Sequence, residues 1–269
     1  MDYKLIAIDM DGTLLNDQKE IPEENRTMIE MLADKGISFI LASGRPYQSL
    51  APYTKELEVY LPLISANGSM VKCSLTERTY HKCNLPLDKA QEIIDYGLKN
   101  DYGVSVYYDG EILTSSSEMA EGHLELEGIK PKVVKDLKVS KAPIKIIYYG
   151  AEEKIDDVYA FLGEEYQNKL YITRSDEEYL EVMNLEVSKG QALKYMMKKM
   201  NVKAEEVIAI GNNFNDVAMF EVAGVAVAMG NSPQGVKDKA DFITKSNQDN
   251  GVAHALRKIV IEGGAELDV

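Results

Sequence analysis

Leu5-Ile6-Ala7-Ile8-Asp9-Met10-Asp11-Gly12-Thr13 opens the chain with four apolar residues, two carboxylates spaced two apart, and a glycine that permits a sharp turn. A short continuous apolar run of this kind reads as a strand buried on both faces. The flanking sequence repeats the pattern. Residues 37–42 form a second apolar run, and residues 61–65 a third that leads into Asn67-Gly68, a strong hairpin turn signal. Between the first two, residues 22–35 carry Met28, Ile29, Met31 and Leu32 at helical spacing and stop at Gly36. Apolar strands separated by amphipathic helices predict an α/β fold with a parallel sheet covered on both faces.

The texture changes near residue 83. A helix is expected over 87–97, an alternating Tyr-rich strand pattern over 104–115, a strand over 144–149, a helix over 152–162 and further strands over 171–182. This block reads as α+β. Its tyrosines (107, 108, 148, 149, 171) read better as packing within their own sheet than as ligand contacts. The α/β pattern resumes after residue 188: a helix over 189–200 with Ser188 as N-cap, strands at 207–210 and 225–228, Ser232-Pro233 at a helix start, and Asn250 ahead of a last helix. The organisation expected is a core in two parts, 1–82 and 187–269, with an inserted domain at 83–186.

The 269 residues carry a net charge of −14, which disfavours nucleic acid and anionic membranes because both need a basic face. A few local cations, backbone N–H groups and a metal still suffice to hold one phosphate. The opening residues are too short and too acidic for a signal peptide, and no run approaches about 20 apolar residues. Cys73 and Cys83 lack metal-site spacing and read as reduced thiols. A cytoplasmic protein is expected, and no protein partner is indicated.

Four segments carry candidate chemistry. Asp9 and Asp11 sit beyond the carboxyl end of the first strand, where open parallel sheets bind ligands, and both can approach one metal. An EF-hand reading, suggested by Glu20 eleven residues after Asp9, fails because Leu14 stands at the required glycine and a strand precedes the loop. A DxD site for a sugar-nucleotide metal stays open. Ser43-Gly44-Arg45-Pro46 follows the second strand in the same way, offering a hydroxyl and backbone N–H groups to an oxyanion. Lys189 stands in the first turn of its helix, where it opposes the helix dipole by about 0.3–1 kcal/mol unless an anion is near. Gly211-Asn212-Asn213-Phe214-Asn215-Asp216 closes a later strand with three amides and an acid. Each segment alone has a structural explanation as a turn or cap. Four strand or helix ends converging on phosphate and metal chemistry do not.

In order and spacing these segments resemble the haloacid dehalogenase (HAD) superfamily, specifically its Cof-like sugar-phosphatase branch. DxDGTL lies at 9–14, [ST]GRP at 43–46, KG at 189–190 and GDxxND at 211–216, so the resemblance covers the whole chain. It implies a Rossmann-like core with a large inserted α+β cap, and a Mg²⁺-dependent phosphatase acting on a small phosphorylated metabolite such as a sugar phosphate. It implies Asp9 as nucleophile forming an aspartyl-phosphate and Asp11 as general acid and base. The N–H of Met10, with Ser43, Gly44, Lys189 and Asn215, would grip the phosphoryl oxygens. Asp9, the main-chain carbonyl of Asp11, Asn212 and Asp216 would form the metal environment, with Asp216 orienting either the metal's waters or Lys189, and Arg45 could contact substrate. One position departs from the pattern: Asn212 stands where the family carries an aspartate, which predicts weaker Mg²⁺ affinity. Two other readings follow, a phosphomutase sharing the nucleophile and a non-catalytic phosphosugar-binding protein motivated by Asn212.

Overall fold

The computed structural model describes residues 2–57 and 62–263. Leu61, at the start of the third expected strand, and residues 264–269 lie outside them. The first stretch forms β1 (Leu5–Asp9), α1 (Glu23–Asp34), β2 (Ser38–Ala42), α2 (Tyr47–Glu56), β3 (Pro62–Ser65), β4 (Met70–Cys73) and β5 (Thr79–Lys82). The middle forms α3 (Leu87–Lys99), β6 (Gly103–Tyr107), β7 (Ile112–Thr114), α4 (Ser117–Glu127), β8 (Lys132–Val133), β9 (Lys145–Tyr149), α5 (Glu152–Glu165), β10 (Leu170–Asp176) and β11 (Tyr179–Asn184). The last stretch forms α6 (Lys189–Met200), β12 (Val207–Gly211), α7 (Val217–Phe220), β13 (Val225–Ala228), α8 (Gln234–Lys237), β14 (Phe242–Ile243) and α9 (Gly251–Leu256).

These elements gather into two compact units. The first comprises Met1–Gly44, Leu50–His81 and Ser188–Val269, and the second Lys82–Val187 together with Arg45–Ser49. In the first unit eight strands form one sheet in the order β14-β13-β12-β1-β2-β3-β4-β5. It is parallel from β14 to β3, and β4 turns back antiparallel on β3. Asn67-Gly68 lies in the turn that joins those two. Parallel pairing brings the carboxyl ends of β1, β2 and β12 to one edge, with Asp9 opposite Ala42 and Ile8 opposite Ile210.

The apolar runs explain why this sheet forms. Successive strand residues point to opposite faces. Leu5, Ala7, Ile40, Ala42, Val207 and Ala209 pack on one face with Leu193, Met196 and Met197 of α6 and Met219 of α7. Ile6, Ile8, Phe39 and Leu41 are buried as well, on the face opposite by alternation. Two helix starts differ from their sequence signals. Pro233 is the residue preceding α8 rather than its first residue, and the Asn250 side chain bonds Glu24 (3.0 Å) instead of capping α9.

The second unit carries a six-stranded sheet, β10-β11-β9-β6-β7-β8, antiparallel except between β7 and β8. One face buries Val104, Val106, Ile146, Tyr148, Leu180 and Val182 with Ile93 and Ile94 of α3 and Ile155, Val158 and Leu162 of α5. The Tyr148 hydroxyl donates to the main-chain carbonyl of Ile93, so this tyrosine is a core residue. On the other face polar side chains are buried. Lys145 Nζ lies 2.9 Å from Glu181 Oε1, and its ammonium sits 4.7 Å from the Tyr107 ring centroid. His123 bridges the Tyr107 hydroxyl and Ser105 Oγ, both at 3.1 Å.

Removing one partner of a buried ion pair leaves an uncompensated charge and costs about 3–5 kcal/mol. Glu181→Gln should therefore destabilise the protein by about that amount, whereas Glu181→Met combined with Lys145→Met should recover most of it. Urea unfolding followed by circular dichroism measures both.

Candidate active site

Where β1 ends, the chain turns at once. The Asp9 carbonyl accepts from Leu14 N (3.2 Å), and the Met10 carbonyl accepts from Thr13 N (3.3 Å) and Leu15 N (2.9 Å). The Asp9 side chain is thereby left buried at the sheet's edge. A buried carboxylate is costly unless compensated, and the compensation comes from far along the chain. Lys189 Nζ lies 2.6 Å from Asp9 Oδ1 and 2.6 Å from Asp216 Oδ1, with all three side chains almost fully buried. The remaining oxygen of Asp216 accepts from the main-chain N–H groups of Asn212 (2.9 Å) and Asn213 (3.0 Å).

Two glycines make this approach possible. A Cβ on Gly190 would lie 1.9 Å from the Ala218 carbonyl oxygen, so only glycine lets the start of α6 reach α7. A Cβ on Gly211 would lie 2.5 Å from the Asp216 Cβ, so only glycine lets Asp216 fold back beneath the end of β12. Ser188 holds the helix start itself, its Oγ accepting from Gln191 N at 3.0 Å. The unfavourable position of Lys189 in the helix dipole is thus offset by two carboxylates.

The electrostatics follow from burial. Desolvation, reinforced by the neighbouring Asp216 charge, pushes the Asp9 carboxyl up to about 7 although Lys189 pulls it down. Burial alone would lower the Lys189 pKa, but the Asp216 and Asp9 carboxylates outweigh it and hold the ammonium above its usual range.

Asp216 was expected in the metal environment, orienting either the metal's waters or Lys189, and the structure gives it the second place. Both its oxygens are committed to Lys189 and the 212–213 amides, because the 3₁₀ turn over 214–216 folds its carboxylate back against the loop it ends. Asn212 is placed quite differently. One end of its amide lies 3.0 Å from the Asp11 main-chain carbonyl, 3.1 Å from Asp9 Oδ2 and 3.1 Å from Thr13 Oγ1. With the amide nitrogen at that end, its two N–H groups can donate to the Asp11 carbonyl and Asp9 Oδ2, with the Thr13 hydroxyl also within reach. With the oxygen there, it accepts from the Thr13 hydroxyl (3.1 Å) but faces the Asp11 carbonyl and Asp9 Oδ2, and these three acceptors repel one another unless a cation lies among them. Mg²⁺ bonds of about 2.0–2.1 Å set neighbouring ligand oxygens of an octahedron about 2.9 Å apart. The spacing therefore suits a small hard cation. Among the described residues no cluster of three or more His, Cys, Asp or Glu side chains forms a metal site. The fit rests on one carboxylate, one main-chain carbonyl and one amide, with waters completing the shell.

Beside this cluster lies a second. Asn215 Nδ2 donates to Asn67 Oδ1 (3.0 Å), and Asn67 N donates to the Ser43 carbonyl (3.0 Å). The Gly44 backbone passes so close that a Cβ there would lie 3.2 Å from Asn67 Oδ1. Ser43, Gly44 and Asn215 are brought together through Asn67, a residue the sequence marks only as a turn former. The Asp11 side chain points to Lys19, Nζ to Oδ1 at 3.0 Å. Arg45 groups with the second unit and is half-buried.

Comparison with known proteins bears on this arrangement. The model of the haloacid dehalogenase-like hydrolases matches residues 6–256. The chain belongs to that family. Among its relatives, the 5-amino-6-(5-phospho-D-ribitylamino)uracil phosphatase YcsE of Bacillus subtilis is 34% identical, over 97% of each chain. Phosphatase YwpJ of the same organism is 30% identical, over 96% of this chain and 100% of its own. The crystal structure of a haloacid dehalogenase-like hydrolase from Bacteroides thetaiotaomicron matches with a TM-score of 0.89 at 31% identity, covering 96% of this chain and all of that one. This chain is therefore a phosphatase of the haloacid dehalogenase type. No helix among the described residues is long and apolar enough to cross a membrane.

Two outcomes follow for variants at the site. Gly190→Ala should destabilise the protein by about 1–3 kcal/mol or more, because the added methyl meets a backbone oxygen, and should lower activity by displacing Lys189; denaturant unfolding and turnover measure the two. The second concerns pH. Asp9 binds its proton more tightly in the fold than in the unfolded chain, so its stabilising contribution is full below about 4 and is lost as pH rises through about 7. Without divalent cations, Asp9→Asn should melt above the parent at pH 8 but not at pH 4, as read by thermal denaturation.

Proposed function

We propose that the protein hydrolyses a small phosphomonoester, of the sugar- or polyol-phosphate class, through an aspartyl-phosphate on Asp9. The observation that carries this reading is the buried Asp9–Lys189–Asp216 cluster at the carboxyl edge of the sheet. A carboxylate held there in a fixed position, with its proton affinity raised to about 7, suits attack more than support.

Asp9 attacks phosphorus, the bond from phosphorus to the substrate's alkoxy oxygen breaks, and Asp11 gives that oxygen a proton. Asp11 then takes a proton from water, whose oxygen attacks phosphorus, and inorganic phosphate leaves as Asp9 is restored. Lys189, the Met10 amide, Ser43, Gly44 and the Asn215 amide hold the phosphoryl oxygens, and Asn67 sets the position of the last three. Lys19 holds the Asp11 carboxyl at the turn, and Asp216 fixes Lys189 and the 212–213 loop. Asp9, the Asp11 carbonyl and Asn212 are the residues that would hold Mg²⁺, which when bound supplies positive charge against the phosphoryl oxygens. The second unit acts as the cap that selects among substrates.

The ribitylaminouracil phosphate named for the 34%-identical relative carries a primary phosphate on a polyol chain, and that chemistry is the starting point for this chain. The alternative, a non-catalytic phosphosugar-binding protein, draws on Asn212 alone. The retained Asp9 and Lys189 weigh against it, since binding has little use for a buried nucleophile.

Release of inorganic phosphate from p-nitrophenyl phosphate and from a panel of sugar and polyol phosphates, with and without Mg²⁺, tests the reading. The parent protein should turn over and Asp9→Asn should lose at least about 10³-fold, the scale of removing a nucleophile that acts with its partners. Turnover unchanged in Asp9→Asn would remove Asp9 from the chemistry.

A further inference from the structure

Asn212 faces two ways. Its amide reaches the Asp11 carbonyl at 3.0 Å and Asp9 Oδ2 at 3.1 Å, the two oxygens with which it would share a cation. An amide has a donor end and an acceptor end of nearly equal shape. We infer that Asn212 is a reversible gate on the cation site: its nitrogen end bonds these oxygens in the metal-free protein, and its oxygen end turns in when the cation enters with a phosphate. This inference rests on the cation-assisted phosphatase reading and extends it to the order and coupling of ligand binding.

The gate has two physical consequences that an aspartate at 212 would lack. The first is a stable metal-free site. The two N–H groups of the amide can serve Asp9 Oδ2 and the Asp11 carbonyl, with Thr13 Oγ1 within reach, whereas a carboxylate there would accept from the Thr13 hydroxyl but repel the other two oxygens. Bringing in a cation means breaking these hydrogen bonds first, so cation binding alone is weakened.

The second is coupling. With Asp9 ionised, Asp9, Asp216 and Lys189 amount to one net negative charge. A divalent cation makes the cluster singly positive, which favours a phosphate dianion beside it. An aspartate at 212 would leave the same cation-loaded cluster neutral. By reciprocity, a phosphate that gains from the cation must strengthen cation binding by the same factor. In this chain, cation and phosphate are therefore held as a pair.

Thermal melting of the full-length protein tests this without reference to turnover, using EDTA, Mg²⁺ alone, inorganic phosphate alone, and both. For the parent, phosphate should tighten the apparent Mg²⁺ affinity by at least about 5-fold, the lower range of measured coupling. Asn212→Asp should melt lower in EDTA, bind Mg²⁺ alone about 10-fold or more tighter, in line with the effect of ligand charge on such sites, and depend less on phosphate. Asn212→Ala, which has neither end, should melt below the parent in EDTA and gain no shift from Mg²⁺. Asn212→Ala as stable as the parent in EDTA, or Mg²⁺ alone binding the parent as tightly as Asn212→Asp, overturns the gate. Phosphate release separates the two levels. This melting pattern in a protein without turnover keeps the gate and removes the enzyme reading, while turnover with Mg²⁺ affinity indifferent to phosphate keeps the enzyme and removes the gate.

Discussion

A single buried ammonium holds this active site together. Lys189 is shared between Asp9 and Asp216, groups 180 and 27 residues away along the chain. Burying one ion carries a penalty of several kcal/mol, and an ion pair offsets it only when geometry is good and other lone pairs are satisfied. The second oxygen of Asp216 meets two backbone amides, and Asp9 Oδ2 faces the Asn212 amide. The cluster is therefore satisfied nearly throughout while retaining one net negative charge, so Asp9 is not fully stabilised as an anion. A carboxylate poised in this way sits between a structural ion pair and a reactive group.

What permits the cluster is the absence of side chains at two points. A Cβ on Gly190 would meet the Ala218 carbonyl oxygen of α7 at 1.9 Å, and one on Gly211 would meet the Asp216 Cβ at 2.5 Å. Both lie next to chemical residues, Gly190 after Lys189 and Gly211 before Asn212. Motif spacing here is packing geometry: each polar residue is delivered by a neighbour small enough to let its element close in. The alternating apolar and small residues of β1, β2 and β12 do the same job one layer down, where Ala7, Ala42 and Ala209 pack in the core with α6.

Much of this was legible in the sequence, and the part that was not has a common cause. The continuous apolar strands and the helix over Lys189–Met200 follow from periodicity, which is a local property. Asp9, Lys189, Asn212 and Asp216 were legible because each stands at the end of a periodic segment. Asn67 was missed because its sequence signature is that of a turn, which it also is, with φ of 55°; only the fold reveals that its amide meets Asn215, 148 residues away. Asp216 was left between the metal environment and Lys189 because residue type and order do not say which way a carboxylate turns. The buried Lys145–Glu181 pair escaped for a related reason. Within an alternating strand, a charged residue reads as solvent-facing until the element that covers it is known.

The division of the chain into two units gives these constraints an uneven distribution. The candidate site residues named above, apart from Arg45, belong to the first unit, and the second unit departs from β5, an edge strand of the eight-stranded sheet. At an edge, an insertion interrupts no pairing between inner strands, so the departure point tolerates change. The return point does not. The chain re-enters at Ser188, whose Oγ caps α6, and the next residue is Lys189. Any shift in where the insertion ends moves the cap, then the first turn of α6, then the ammonium held at 2.6 Å by two carboxylates. The sequence of the second unit is therefore free to vary over most of its length, while its last residues fix where α6 begins.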